Sequence, residues 1–150
     1  MLDASRIVRG VGLMRIVAAP VESTMAITSF EIVSVPVSDA QRAKAFYQDV
    51  LGFKLVRESP MGPGQTWIQL VPPGCETTIA LVTWFDAMPP GSLQGVMLNV
   101  SDINADHATL AARGLELSEI HAQPWGRYAT FKDPDGNGWI LREAPSTYSI

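Results

Sequence analysis

The chain has 150 residues, a formal net charge of −4, 47% hydrophobic and 17% charged residues. That is the length of one domain, with enough apolar material for a core, which excludes intrinsic disorder and two sizeable independent domains. The acidic balance, with no basic stripe, excludes a surface built to neutralise nucleic-acid phosphates, and the single cysteine, Cys75, forms no intrachain disulfide and points to a reducing, cytoplasmic setting.

Residues 1–24 read as an N-terminal extension to a single domain over 25–150. Arg6, Arg9 and Arg15 break its apolar pieces, and Arg15 interrupts the one run that would serve a signal peptide. A transmembrane helix needs about 20 apolar residues in a row, so no membrane partner is expected. Two readings stay open: a leader from an upstream start, with Met25 opening the domain, or an arm that packs on a partner subunit.

From Met25 onward the elements alternate in a fixed plan. Phe30–Val37 is a strand-like apolar run. Ser38 and Gln41 then have capping-box spacing, and Ala43, Phe46, Tyr47, Val50 and Leu51 form one apolar helical face that Gly52 ends. Strands follow over residues 53–56, 66–71 and 77–82, separated by Pro/Gly connections. Then the plan repeats: Val37-Ser38-Asp39 recurs as Val100-Ser101-Asp102, an offset of 63 residues, again after a strand (95–100) and before a helix. That second helix, about 102–113, is expected to turn Ile103, Leu110 and Ala111 inward and to stop at Gly114. Strands over 115–117, 127–131 and 138–142 complete it, the last two joined by the turn Asp133-Pro134-Asp135-Gly136-Asn137. Two modules, about 27–86 and 93–144, are therefore each strand–helix–strand–strand–strand. One helix covers one face of its sheet, so the other face must meet the other half, a partner chain or a ligand.

The segments VPVSDAQRAKAFYQDVLGF, LNVSDINADHATLAARG and PWGRYATFKDPDGNGWILRE, in that order, resemble the vicinal oxygen chelate superfamily over roughly residues 28–144. That group contains glyoxalase I, bleomycin-resistance proteins, fosfomycin-resistance enzymes and extradiol dioxygenases. The resemblance implies an α+β fold of two βαβββ modules, the glyoxalase/bleomycin-resistance-like fold, with curled mixed sheets around a cavity and commonly a homodimer. It also implies four strand positions at which the superfamily's enzymes place His, Glu or Gln ligands to a divalent metal. Here those positions hold Ile32, Thr78, Gly95 and Ile140, and a divalent ion needs several imidazole or carboxylate donors converging on one point. No metal cofactor is expected unless bulges shift Glu31 and Gln94 inward by one residue.

If the helices cover Val33, Val35, Ile68, Leu70, Ile79, Leu81, Leu98, Val100, Phe131 and Leu141, alternation sends their strand neighbours to the other face. Ser34, Trp67, Gln69, Met97, Asn99, Tyr128 and Arg142 there, with Trp84 beside them, make a mixed aromatic and polar lining suited to a small organic ligand. Arg142 is its cation, set against a ligand anion or against Glu143 or Glu31. Trp84 and Trp125 are candidates for stacking on a planar ligand or for shielding a dimer seam. The expected function is small-molecule binding of the bleomycin-resistance type, by sequestration without catalytic metal. Two rival enzyme readings remain: a metal-dependent lyase, dioxygenase or thiol transferase with a shifted ligand set, and a metal-free lyase or isomerase using Tyr128, Glu143 or His121. A third rival is a structural dimer whose cavity is filled by its own side chains.

Overall fold

The computed structural model describes residues 25–146, so the expected extension over 1–24 lies outside the described residues. Residues 25–30 belong to a unit separate from the body that begins at Glu31, and they carry no regular secondary structure. Within the body the order is β1 (Ile32–Pro36), α1 (Ala40–Ala45), β2 (Lys54–Gly62), β3 (Gln65–Val71), β4 (Thr78–Val82), β5 (Val96–Asn99), α2 (Ile103–Ala112), β6 (His121–Gln123), β7 (Gly126–Lys132) and β8 (Gly138–Glu143).

These elements form two four-stranded mixed sheets of the same plan, β1-β4-β3-β2 and β5-β8-β7-β6. In each, the strand before the helix pairs in parallel with the last strand of its module, Ser34 opposite Ala80 and Asn99 opposite Arg142. The remaining neighbours are antiparallel. The two βαβββ modules expected from the internal repeat are thus present.

Local chemistry sets the helix ends, and it differs from the expected capping box. Asp39, in extended conformation, caps α1 by accepting from the backbone N–H of Gln41 (3.1 Å) and Arg42 (3.0 Å). Ser38 is drawn away: its hydroxyl donates to Asp135 Oδ1 at 2.6 Å, and the Gln41 amide goes instead to Glu58. After Ala45 the helix widens into a π-helical turn, Phe46–Val50, which carries Tyr47 to full burial while Phe46 and Val50 stay partly covered. In α2 Asp102 accepts from Ala105 N, Ile103 and Leu110 face inward, and Ala111 is exposed, contrary to the expected inner face.

A second correction concerns residues 115–117. Leu117 makes one isolated bridge to Phe131, and the edge strand of the second sheet is instead the short β6. The reason is the set of partners that Ser118 finds. Ser118 N donates to Thr130 O, but its hydroxyl accepts from Thr130 N and its carbonyl is taken by His107 Nε2 at 2.8 Å, so the backbone pairing stops at one bridge.

Both sheets turn their helix-bearing faces to one hydrophobic core. It takes Val35, Ile68, Leu70 and Leu81 from the first module, Phe131, Trp139 and Leu141 from the second, and Tyr47 between them. Burying each of these large side chains contributes roughly 1.5–3 kcal/mol. A polar clasp crosses the same seam. Tyr47 Oη donates to Asp133 Oδ2 (2.8 Å) and accepts from Trp139 Nε1 (3.0 Å). Asn137, wholly buried, donates to Pro36 O and to Asp133 Oδ2 and accepts from Leu93 N. The phenol of Tyr47 is pushed above its ordinary pKa, first by burial and then by the Asp133 charge beside it.

Candidate functional site

With the helix-bearing faces consumed by the core, the chemistry available to a ligand lies on the opposite faces. On the second sheet, pairing lays those residues out in rows across the strands. Asn99 sits opposite Arg142, Arg142 opposite Tyr128, and Tyr128 opposite His121. One step along, Met97, Ile140 and Thr130 form the next row.

The first row carries an aromatic shelf beside a held cation. Trp125 stacks on Tyr128 with centroids 4.9 Å apart and planes 24° from parallel, and the His121 ring lies 5.4 Å from Tyr128. Trp125 keeps 38% of its surface exposed and Met97 44%. Arg142 is 8% exposed, with Nε donating to Trp125 O (2.9 Å) and Nη1 to Asn99 Oδ1 (3.1 Å). The guanidinium therefore fixes the loop that presents Trp125. Gly126 makes this approach possible: its φ is +138°, and a Cβ there would collide with Glu143 O and crowd the Arg142 side chain.

The first sheet's corresponding face holds a hydrogen-bonded chain. Trp67 Nε1 donates to Gln69 Oε1, Gln69 Nε2 to Thr78 Oγ1, and Thr78 Oγ1 to Glu31 O. Ser34, half-buried, lies two strands from Gln69 in one row through Ala80. Trp84 stacks on Trp67, centroids 6.3 Å apart. The expected binding residues thus fall into two groups: Asn99, Arg142, Tyr128 and Met97 on one sheet, and Ser34, Trp67, Gln69 and Trp84 on the other.

The residues weighed for acid–base work are engaged structurally. Glu143 accepts from Ile103 N at 2.9 Å and pairs with Arg127 at 3.7 Å, and Tyr128 is stacked beneath Trp125. Cys75 is exposed in its turn.

A feature the sequence reading missed extends the second-sheet face. A cleft of about 720 Å³ lies over Gly95, Thr130 and Ile140, with Glu116, Lys132 and Gln94 around it. Strand alternation does place Lys132 on the face of Tyr128 and Thr130. Glu116 was not legible, because the segment carrying it is no regular strand. A second cleft of about 630 Å³ runs between the modules, over Phe53, Leu98 and Leu110 with Arg113 beside it.

The four metal positions of the resemblance are tested by what stands there. Ile32, Gly95 and Ile140 offer no donor side chain, and the one hydroxyl among the four, Thr78 Oγ1, is already bonded to Gln69 Nε2 and Glu31 O. Of the two shifted candidates, Gln94 is engaged elsewhere. Gln94 Nε2 donates to Gly91 O and Gly136 O, and its carboxamide oxygen lies over Gly138. Among the described residues, no three His, Cys, Asp or Glu side chains come together to hold an ion. These donors do not fit a divalent metal.

Comparison with known proteins agrees with this architecture. Residues 29–141 match the family model described as the Glyoxalase/Bleomycin resistance protein/Dioxygenase superfamily. The solved structure of TnmS3, an antibiotic binding protein from Streptomyces sp. CB03234, is 45% identical, with a TM-score of 0.77 over 81% of this chain and 99% of that one. A superfamily member from Sphaerobacter thermophilus DSM 20745 is 33% identical, with a TM-score of 0.70 over 78% of this chain and 98% of its own. The uncharacterized protein YetH of Bacillus subtilis is 36% identical over 115 residues, 74% of this chain and 94% of its own.

Proposed function

Because the chain belongs to the Glyoxalase/Bleomycin resistance protein/Dioxygenase superfamily, we propose that it binds and sequesters a small planar organic molecule, without a catalytic metal. The observation that carries this reading is the aromatic shelf: Trp125 stacked on Tyr128, partly exposed, and steadied by Arg142. Offset stacking on such a shelf adds roughly 0.5–1.5 kcal/mol beyond the apolar area it buries. The Met97 side chain, exposed beside the shelf, adapts to irregular ligand shapes. Similarity to an antibiotic-binding protein supports the same reading.

Among the described residues, side chains at the four metal positions that do not fit a divalent ion support sequestration over the superfamily's metal-dependent chemistry. Function is then mass action: the protein lowers the free ligand concentration and leaves the ligand intact. A homodimer suits this site, with a partner's sheet closing over the exposed Met97 and Trp125. A cytoplasmic location fits the exposed, unpaired Cys75. Among the described residues no helix is long and apolar enough to cross a membrane.

The test is a thermal-shift screen of planar fused-ring aromatic compounds against wild type and Trp125→Ala. Hits that stabilise wild type and lose most of that shift in Trp125→Ala support the shelf. Hits that shift both proteins equally place binding elsewhere and contradict it.

A further inference from the structure

We infer that the ligand is a conjugate, a planar aromatic body joined to a hydroxyl-rich neutral group of sugar type, the second part seated in the cleft over Gly95. This rests on the aromatic shelf as the seat of the first part, and it names what lies beyond the shelf on the same face. Tyr128, Thr130 and Lys132 point to one side of β7, so at about 3.4 Å per residue the face runs on for about 13 Å from the shelf to the Lys132 end. That end is a concavity of about 720 Å³, ample for one ring-sized polar group. Its floor is vacant: Gly95 has φ +81° and nothing within 4 Å of where a Cβ would stand.

The lining decides the chemistry. Glu116 offers only acceptors, Lys132 only donors, and the Thr130 hydroxyl both. Among the described residues none of these three side chains has a hydrogen-bond or ion-pair partner, whereas Arg42, Lys44 and Arg127 are all paired with carboxylates. A carboxylate seated here would be repelled by Glu116, and an ammonium by Lys132. The cleft also carries Leu115, Leu117 and Ile140, but a wholly apolar group would strip water from both charges. A group bearing several hydroxyls satisfies donors and acceptors together without setting a charge beside the like charge of Glu116 or Lys132. The row of Met97, Ile140 and Thr130, whose last two members line the cleft, is next to the shelf row of Arg142 and Tyr128, so the two seats adjoin, as a linked two-part ligand requires.

The test compares a fused-ring hydroxyaryl compound with its O-glucoside, by tryptophan fluorescence titration of the full chain. We expect the glucoside to bind wild type about ten-fold more tightly than the aglycone. In Glu116→Ala/Lys132→Ala the gap should collapse while aglycone affinity stays the same. Both residues are exposed, so an unchanged melting temperature verifies that the variant folds. Equal affinity of the two compounds for wild type, or a gap that survives the double substitution, overturns the inference while leaving the shelf in place. Failure of both compounds to bind contradicts the shelf reading, and this inference with it.

Discussion

Replacing Tyr47 by phenylalanine removes one oxygen from the seam between the modules and leaves the ring in place. The ring's neighbours, Phe46 at 5.1 Å, Phe53 at 5.6 Å and Trp139 at 5.7 Å, are untouched, so the loss is polar. Two bonds go. One is donated to the Asp133 carboxylate, which is buried and retains Asn137 N, Asn137 Nδ2 and Asp135 N as donors. A hydrogen bond to a charged group contributes about 1.5–3 kcal/mol. The other comes from Trp139 Nε1, in a side chain 1% exposed, which is left with no acceptor at a cost of about 1–3 kcal/mol. Together the substitution should cost about 2.5–6 kcal/mol, a large share of the roughly 5–15 kcal/mol that holds a domain folded. Urea unfolding followed by tryptophan fluorescence should show a lower midpoint with an unchanged slope. The same phenol gives a pH signature. Its folded pKa lies above the ordinary tyrosine value of about 10, so its contribution is complete below that pH. Above it the unfolded chain releases the proton first, and wild type should lose up to about 1.4 kcal/mol per pH unit that Tyr47→Phe does not lose. A loss under about 1 kcal/mol at neutral pH, or parallel alkaline slopes in both proteins, would refute the clasp.

Three further outcomes follow from named contacts. Asp39→Ala removes the acceptor for two free amides at the start of α1 and should cost about 1 kcal/mol in the same unfolding assay, whereas Ser38→Ala leaves the cap intact. Gly126→Ala places a Cβ against Glu143 O at φ +138° and should destabilise by about 1–3 kcal/mol, and it should also weaken ligand binding, because Arg142 and Trp125 meet at that point. Incubation with Zn²⁺, Ni²⁺, Mn²⁺ or Fe²⁺ followed by elemental analysis should leave no stoichiometric metal; one ion per chain, lost on Glu31→Ala, would contradict the donor argument.

The parts of the fold that were legible in the sequence are those set by local pattern. The repeated Val-Ser-Asp, the alternation in β3, β4, β7 and β8, and the Asp133–Asn137 turn each carry their own signal, and each appears where expected. What escaped is decided by partners far along the chain. Ser38 looks like a cap until Asp135, 97 residues away, takes its hydroxyl. Residues 115–117 look like a strand until His107 and Thr130 bond Ser118 and interrupt the edge. Trp139 was absent from the expected core, although alternation from Leu141 implies it. On the site, alternation brought Asn99, Tyr128 and Arg142 into one row. It gave no warning that Gln69 and Thr78 would spend their polar groups on each other, or that Glu116 would stand over the cleft.

Holding a planar ligand and leaving it unchanged are the two properties that define a sequestering protein. The most direct measurement is a tryptophan fluorescence titration with a stabilising planar compound, followed by chromatography of the ligand recovered after long incubation. Sequestration on the shelf should give saturable quenching, loss of affinity in Trp125→Ala, and recovery of the compound intact. Recovery of a new product, or saturable binding indifferent to Trp125, would contradict it.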